Sequence, residues 1–303
     1  MDSPTTLIFI GNGFDVAAGY PTSYKDFYES DYFKKILNNT SNINQLAKYI
    51  DVYNNSIHGW ADLEKILYEY AKSGVNDTDQ AFNDFIDIKK ALKRYLSSIQ
   101  EQERLNDELS ELVDTWLKED PSTKFFSYNY SKFLGPYVRQ RNPSSRDGRY
   151  DVTQPHGYLW DDIVLGIDES QEVNDELSFL YKSYDDKYNN SNIISHIENA
   201  KRIIIFGCAM GDSDYWYFKQ IFQNYENKFF EIYTKDEKSK QNIFNRIHQI
   251  TQKSIADIKS KATINIFKTE NWPKLLSLRE QYLNNQKPFF TGLQLANNHA
   301  QIS

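Results

Sequence analysis

The stretch Leu7-Ile8-Phe9-Ile10-Gly11-Asn12-Gly13-Phe14-Asp15 decides how the fold of this chain begins. Its apolar run predicts a buried strand, and the Gly-x-Gly pattern that follows predicts a tight turn where backbone can approach a ligand. Ser23 and Asp26 have the spacing of a capping box, which predicts the start of a helix. A strand, a glycine turn and a helix N-terminus together can bind a nucleotide phosphate. Because Val16 stands where the dinucleotide fingerprint has its third glycine, a purely structural turn is an equally good interpretation.

The composition narrows the class of protein. The 303 residues can form one large α/β domain or two smaller ones. A net charge of −7 argues against a nucleic-acid surface, which needs a basic face. The single cysteine, Cys208, excludes a disulfide framework and a cysteine-rich zinc module. The apolar runs are too short to span a bilayer, and no charged-then-apolar leader precedes the first strand. We therefore expect a cytoplasmic protein without membrane or nucleic-acid partners.

The region between about residues 31 and 119 has helical periodicity and no strand pattern. Three successive segments place apolar residues on one helical face: Leu63, Ile66, Leu67 and Tyr70; Phe85, Ile88, Leu92, Tyr95 and Ile99; Leu105, Leu109, Leu112, Trp116 and Leu117. Asp120-Pro121-Ser122 ends the last of these helices. We predict that residues 31–119 form an all-helical insertion between strands of one sheet.

Strand patterns return after residue 120 and alternate with helical patterns. The predicted strands are residues 124–128, 162–165, 202–206, 229–233 and 263–267. This alternation predicts an α/β fold, a Rossmann-like parallel sheet with helices on both faces. Residues 1–30 and 120–284 would form this nucleotide-binding domain, and residues 285–303 a loose C-terminal tail. The acidic stretch 169–192 is interpreted either as a flap or as a surface helix.

Polar and glycine clusters follow the predicted strands rather than precede them. They are Gly11-Asn12-Gly13, Asn129, Gly166-Ile167-Asp168 and Gly207 to Asp214. Because parallel sheets bind ligands outside the carboxyl ends of their strands, these clusters predict one shared cleft. The sequence has no P-loop and no nucleophile elbow, and its five histidines form no metal-binding pair. What remains is a nucleotide cleft with one candidate imidazole, His156, and one candidate amide, Asn129.

Each of these residues also has a structural interpretation. His156, between a proline and a glycine, is typical of a turn histidine bonded to backbone, and Asn129 of a cap at the end of a strand. Cys208 is typical of a small core residue, and Asp212 of a helix cap. Glu64 is interpreted either as part of a solvated helix face or as a cleft residue. The residues alone leave these alternatives open.

Several motifs resemble those of the AbiH family of bacterial abortive-infection proteins. The resemblance covers residues 7 to about 220. It rests on Ile10-Gly-Asn-Gly-Phe-Asp15, Gly19-Tyr-Pro-Thr-Ser-Tyr24, His58-Gly-Trp-Ala-Asp-Leu-Glu64, Phe126-Ser-Tyr-Asn-Tyr130, Pro155-His-Gly157 and Gly207-Cys-Ala-Met-Gly-Asp-Ser-Asp214. The motifs occur in the order that the family has, and the first and last are the most specific.

That family is in turn similar to the sirtuin-like NAD-binding proteins. The resemblance implies that Asn129 orients water at the nicotinamide ribose and that His156 acts as general base. It also implies that NAD binds without a metal along a set of positions: Gly11, Asn12, Gly13, Asp15, Pro21, Thr22, Gly207, Asp212 and Ser213. This chain departs from the sirtuin pattern where Asn12 and Asp15 replace Ala and Ser, and where Ala209 replaces Ser.

The resemblance implies a defence enzyme against bacteriophage that hydrolyses NAD to nicotinamide and ADP-ribose. Asp15 or Asp168 could supply negative charge beside the developing sugar cation. Two alternatives stay open: a non-catalytic sensor of an ADP-ribose-like nucleotide, and a hydrolase of another nucleotide. Self-association, or activation by a partner, is a further expectation for an effector of this kind.

Overall fold

The computed structural model describes residues 6–56, 63–99, 105–141, 152–188, 193–211 and 215–285. Within them, six strands form one parallel sheet in the order β3-β2-β1-β4-β5-β6. The strands are β1 Thr6–Ile10, β2 Lys124–Ser127, β3 Val152–Thr153, β4 Arg202–Phe206, β5 Phe229–Thr234 and β6 Thr263–Lys268. The order reverses between β1 and β4, as in the Rossmann-like sheets that bind dinucleotides.

The helices follow the predicted periodicity closely. They are α1 Asn12–Ala17, α2 Tyr24–Glu29, α3 Asp31–Leu37, α4 Gln45–Ser56, α5 Leu63–Lys72, α6 Thr78–Ile99, α7 Asp107–Glu119, α8 Leu134–Arg141, α9 Ile193–Asn199, α10 Tyr215–Gln223, α11 Glu237–Thr251, α12 Ile255–Lys259 and α13 Trp272–Asn285. Short 3-10 helices cover Asp175–Leu180, Lys182–Tyr184 and Thr269–Asn271. Residue 285 ends α13, and the rest of the predicted tail lies outside the described residues.

Helices cover both faces of the sheet, as predicted. Strand β1 shows why, because its side chains alternate between two cores. Leu7 and Phe9 pack with residues of α9 to α12, whereas Ile8 and Ile10 pack with residues of α7, α8 and α13. The strand is therefore apolar at every position, as a strand buried on both faces must be.

Helices α2 to α6 form a core of their own. Their buried apolar residues pack with each other and with apolar residues of the segment 159–180. Helix α7 packs instead against the sheet, where Trp116 contacts Phe206 and Tyr233. The segment 159–180 thus connects the sheet to the helical cluster α2–α6.

Two local predictions differ from the structure. Residues 162–165 are not a strand, because Ile163 makes only an isolated antiparallel bridge to Gly157. The side chains of Ile163 and Leu165 are buried in the core of the helical cluster rather than in the sheet, which gives the same apolar pattern in the sequence. The third strand is instead Val152–Thr153, which is too short to show periodicity.

The other difference concerns the opening motif. Helix α1 begins at Asn12, directly after Gly11, whereas the sequence predicts the first helix only after Ser23. The capping box of Ser23 and Asp26 is nevertheless present and begins α2. Within the described ranges, no helix has both the length and the apolar character needed to cross a membrane.

Candidate functional site

The turns after β1 and β4 pack directly against each other at the point where the strand order reverses. The Gly11 amide donates to the Phe206 carbonyl at 2.9 Å, and the Gly13 amide donates to the Gly207 carbonyl at 3.0 Å. Gly207 has a φ of +67°, a conformation that favours glycine. The glycines of the Gly-x-Gly pattern therefore allow this close backbone contact, and the two turns pack together as one junction.

Replacing Gly207 by alanine should destabilise this junction. The new Cβ would lie 2.5 Å from Gly13 Cα, and the positive φ would add strain. We expect a loss of about 1–3 kcal/mol in the free energy of unfolding, measured by urea denaturation. Gly74→Ala is the matched control, because Gly74 also has a positive φ, +83°, but no atom within 4 Å of the added Cβ. Equal losses in both variants would show that strain alone, not packing, requires glycine at residue 207.

A first cavity, of about 320 Å³, opens beside this junction at the carboxyl ends of β1, β2 and β4. Its size falls in the range of small-molecule sites. The residues that line it include seven polar side chains from separate parts of the chain: Asn12, Asp15, Thr22, Glu64, Asn129, Ser131 and His156. The predicted convergence at one edge of the sheet is therefore present for the residues after β1, β2 and β4, whereas Gly166-Ile167-Asp168 does not line this cavity.

Asn129 is the most constrained polar residue of the first cavity. Its Nδ2 donates to the Gly11 carbonyl at 3.0 Å and to Asp15 Oδ1 at 2.6 Å. Both hydrogens of this nitrogen are thus used, which leaves Oδ1 as the amide atom for a ligand. Gln154 donates from Nε2 to the Asn129 carbonyl at 2.6 Å and fixes the backbone of the same residue.

Asp15 is a buried acceptor rather than a helix cap. Its carboxylate accepts from Asn129 Nδ2 and, at 3.2 Å, from the Ser131 hydroxyl. No side-chain cap is formed at the start of α1. Asp15 therefore orients the Asn129 amide, and it places a carboxylate on the wall of the first cavity.

His156 also lines the first cavity and is 4% exposed. Its Nε2 is 3.4 Å from Lys182 Nζ, which in turn is 3.2 Å from Glu64 Oε2. Burial, together with the positive charge of Lys182, lowers the pKa of His156 well below its ordinary value, against a hydrogen bond with the Tyr128 backbone. The imidazole is therefore neutral at pH 7.

A second cavity, of about 490 Å³, lies across the junction at the carboxyl ends of β4, β5 and β6. It shares Asn12 and residues 207–209 with the first cavity, so the two are neighbours along the same edge of the sheet. Its remaining polar lining comes from Thr234, Lys235, Ser239, Asn242, Thr269 and Glu270. Gly13 lines this second cavity and not the first.

The other predicted site residues have varied positions. Thr22 lines the first cavity and donates to Asn12 Oδ1 at 2.7 Å. Pro21 lines neither cavity, and its carbonyl accepts from Tyr95. Asp168 also lines neither, and it accepts from the Ser170 amide in a turn. Asp212 and Ser213 lie outside the described residues.

Sequence reasoning missed the residues that support the site. Lys182 stands in the acidic stretch predicted as a flap or surface helix, yet it is 1% exposed. Lysines are rarely buried, so no sequence pattern distinguishes it from its neighbours. Gln154 and Ser131 were missed as well. Each directly flanks a predicted motif, and this position next to a motif is the signal that could have identified them.

A comparison with known protein families shows where this chain belongs. A model of the family described as bacteriophage abortive infection AbiH matches residues 7–236, more than two thirds of the chain. No curated protein matches the sequence. Among the described residues, no group of three or more His, Cys, Asp or Glu side chains is arranged to hold a metal ion.

Proposed function

The chain belongs to the AbiH family of bacteriophage abortive-infection proteins. From its two neighbouring cavities we infer that it acts in abortive infection as an NAD glycohydrolase. The observation that carries this proposal is the pair of cavities on either side of residues 207–209. They lie at the reversal of strand order, where sheets of this topology bind dinucleotides. A dinucleotide has two nucleosides, and each cavity would hold one of them.

The polar groups of the first cavity suit the nicotinamide ribose. Cleavage breaks the bond between C1′ of this ribose and the nicotinamide nitrogen, and the electron pair leaves with nicotinamide. The sugar becomes cation-like, so negative charge nearby lowers the barrier. Asp15 provides a carboxylate on the cavity wall and is 2% exposed, whereas the charge of Glu64 on the same wall is paired with that of Lys182.

Water would then attack C1′ to give ADP-ribose, and a proton must leave the water. In this proposal, Asn129 Oδ1 accepts a hydrogen bond from the water or from a ribose hydroxyl. His156 accepts a hydroxyl proton, which its neutral form allows. The balance is one NAD and one water consumed, with one nicotinamide, one ADP-ribose and one proton formed.

The direct test incubates purified protein with NAD, over a range of protein concentrations, and measures nicotinamide and ADP-ribose by chromatography. We expect the two products in equal amounts from the natural protein and from His248→Ala. His248 is an exposed histidine on α11, far in sequence from the site, and serves as the matched control. His156→Ala should release neither product. NAD that binds but stays intact would favour the sensor, and NAD that neither binds nor reacts would contradict both functions.

Filling the second cavity should weaken NAD binding without affecting the chemistry. Asn242 is an exposed residue of α11 on the wall of this cavity, so tryptophan can replace it without disturbing the core. We expect Asn242→Trp to raise KM for NAD about tenfold, equal to about 1.4 kcal/mol, with kcat unchanged. Asn245→Trp, on the same helix but outside the cavity lining, should leave KM unchanged. An unchanged KM in Asn242→Trp would place the adenosine elsewhere.

A further inference from the structure

Three buried ionisable side chains from distant parts of the chain meet at the wall of the first cavity, which Glu64 and His156 line. Glu64 comes from α5 of the helical cluster, Lys182 begins a 3-10 helix, and His156 follows β3. Their contacts run in a row, Glu64 Oε2 to Lys182 Nζ at 3.2 Å and Lys182 Nζ to His156 Nε2 at 3.4 Å. The exposed fractions of these residues are 4%, 1% and 4%. Burying three such groups together is expensive unless each one is paired.

The chemistry of the row fixes the position of the histidine proton. A lysine ammonium only donates hydrogen bonds, so the His156 Nε2 that faces it must be the unprotonated nitrogen. The ring proton is then on Nδ1. Glu64 holds the ammonium on its other side, which keeps the lysine charged although it is buried.

From this arrangement we propose that Lys182, anchored by Glu64, is a positioning residue that holds His156 in its neutral form with the proton on Nδ1. Nε2 then faces the Lys182 ammonium with its one lone pair, so a proton that His156 takes up there must displace this contact. The role of Nε2 in catalysis rests on the proposed NAD hydrolysis. The protonation state and tautomer of His156 do not, and can be tested without any substrate.

Within the described ranges, the other titratable side chains whose rings face His156 are tyrosines. The rings of Tyr128, Tyr130 and Tyr188 lie with their centroids 5.4, 6.4 and 6.4 Å from that of His156. Tyr188 is itself hydrogen-bonded to Tyr217, and burial raises the pKa of Tyr188 above its ordinary value. These phenols are uncharged at neutral pH, so Lys182 is the charge that acts directly on the imidazole.

The test is a pH titration of the protein labelled with ¹⁵N in its histidine rings, followed by NMR. The His156 signals are assigned by their absence in His156→Gln. In the natural protein we expect His156 to stay neutral, protonated on Nδ1, over the pH range in which an exposed histidine titrates. In Lys182→Met the midpoint of His156 should rise by at least about one pH unit, and the Nε2-protonated tautomer should appear.

A double variant protects the test against loss of folding. Lys182→Met alone leaves Glu64 buried without its cation, whereas Lys182→Met combined with Glu64→Gln removes both charges at similar volume. The double variant should show the same His156 changes, and Lys182→Arg should restore the natural tautomer because it keeps the charge. Unchanged His156 signals in both Lys182→Met and the double variant would overturn the proposal.

Activity provides an independent second readout. If the chain hydrolyses NAD, Lys182→Met should lower kcat more than it raises KM. The substitution removes the contact between Lys182 and His156, and it removes no contact with the substrate. The acid limb of the pH–rate profile should move to higher pH, since the His156 midpoint rises and activity needs its neutral form. A changed NMR titration without any NAD hydrolysis would contradict the proposed function and leave the role of Lys182 intact.

Discussion

Replacing Asn129 by alanine should reduce kcat for NAD hydrolysis by about 10²–10³-fold, the loss typical of removing one oriented polar group from an active site. The residue contributes Oδ1 to the first cavity, and the bonds of Nδ2 to Gly11 and Asp15 hold that oxygen in place. Alanine removes the acceptor without adding bulk. Steady-state rates of nicotinamide release, with the binding of ADP-ribose measured separately by calorimetry, distinguish lost chemistry from lost binding.

Ser131→Ala is the matched control for this variant. Its hydroxyl also donates to Asp15 Oδ1, at 3.2 Å, but the distance is longer than that from Asn129. We expect kcat of Ser131→Ala to stay within about tenfold of the natural value, because Asp15 still accepts from Asn129 and holds the amide in place. Equal losses in both variants would indicate that Asp15, not the Asn129 amide, is the residue that chemistry needs.

Replacing Glu231 by glutamine should lower the free energy of unfolding by about 3–5 kcal/mol, the range for breaking a buried ion pair from one side. Glu231 lies in β5, is 0% exposed and accepts from Arg202, from Arg279 Nε at 2.9 Å and from Tyr233 at 2.8 Å. Both arginines also bind Glu119 at the end of α7. The network thus ties α7 and α13 to the sheet.

Urea denaturation followed by circular dichroism measures this loss. Glu226→Gln is the control, since Glu226 pairs with Lys261 on the surface and both side chains are 51% exposed. That variant should change stability by less than about 1 kcal/mol. A Glu231→Gln protein as stable as Glu226→Gln would show that glutamine satisfies the two arginines as well as glutamate does.

The same network predicts a loss of stability in acid. Burial alone would raise the pKa of Glu231, but Arg202 and Arg279 outweigh it and lower the pKa from 4.5 to about 2. A carboxyl group whose pKa is lower in the folded than in the unfolded protein stabilises the fold at pH values above the unfolded pKa. This stabilisation is lost as pH falls from about 4.5 toward about 2. The difference in stability between the natural protein and Glu231→Gln should therefore shrink over that interval.

The sheet was predictable from the sequence because its strands are buried on both faces. Leu7–Ile10 and Arg202–Phe206 are near-continuous apolar runs, and each is followed by a glycine turn. The apolar run at residues 162–165 was wrongly predicted as a strand, because an apolar segment that packs against helices has the same composition as a buried strand. Val152–Thr153 could not be predicted, because two residues show no periodicity.

The candidate site was predictable where residues follow strands. Asn129 and His156 share the first cavity because the carboxyl ends of parallel strands meet at one edge. Lys182 belongs to no such position, and only the three-dimensional contact with His156 identifies it. The role of Gly13 and Gly207 also needed the structure, because a Cβ added to either glycine would lie 2.6 or 2.5 Å from the Cα of the other.

The central claim is that this chain acts in abortive infection by cleaving NAD in the cavity that holds Asn129. Its most direct test is the NAD content of bacteria that produce the protein, measured during infection by a phage that the protein blocks. With the natural protein, NAD should fall while nicotinamide and ADP-ribose rise, and with Asn129→Ala all three should stay at their uninfected levels. Blocked infection with undiminished NAD in cells that carry the natural protein would contradict the claim.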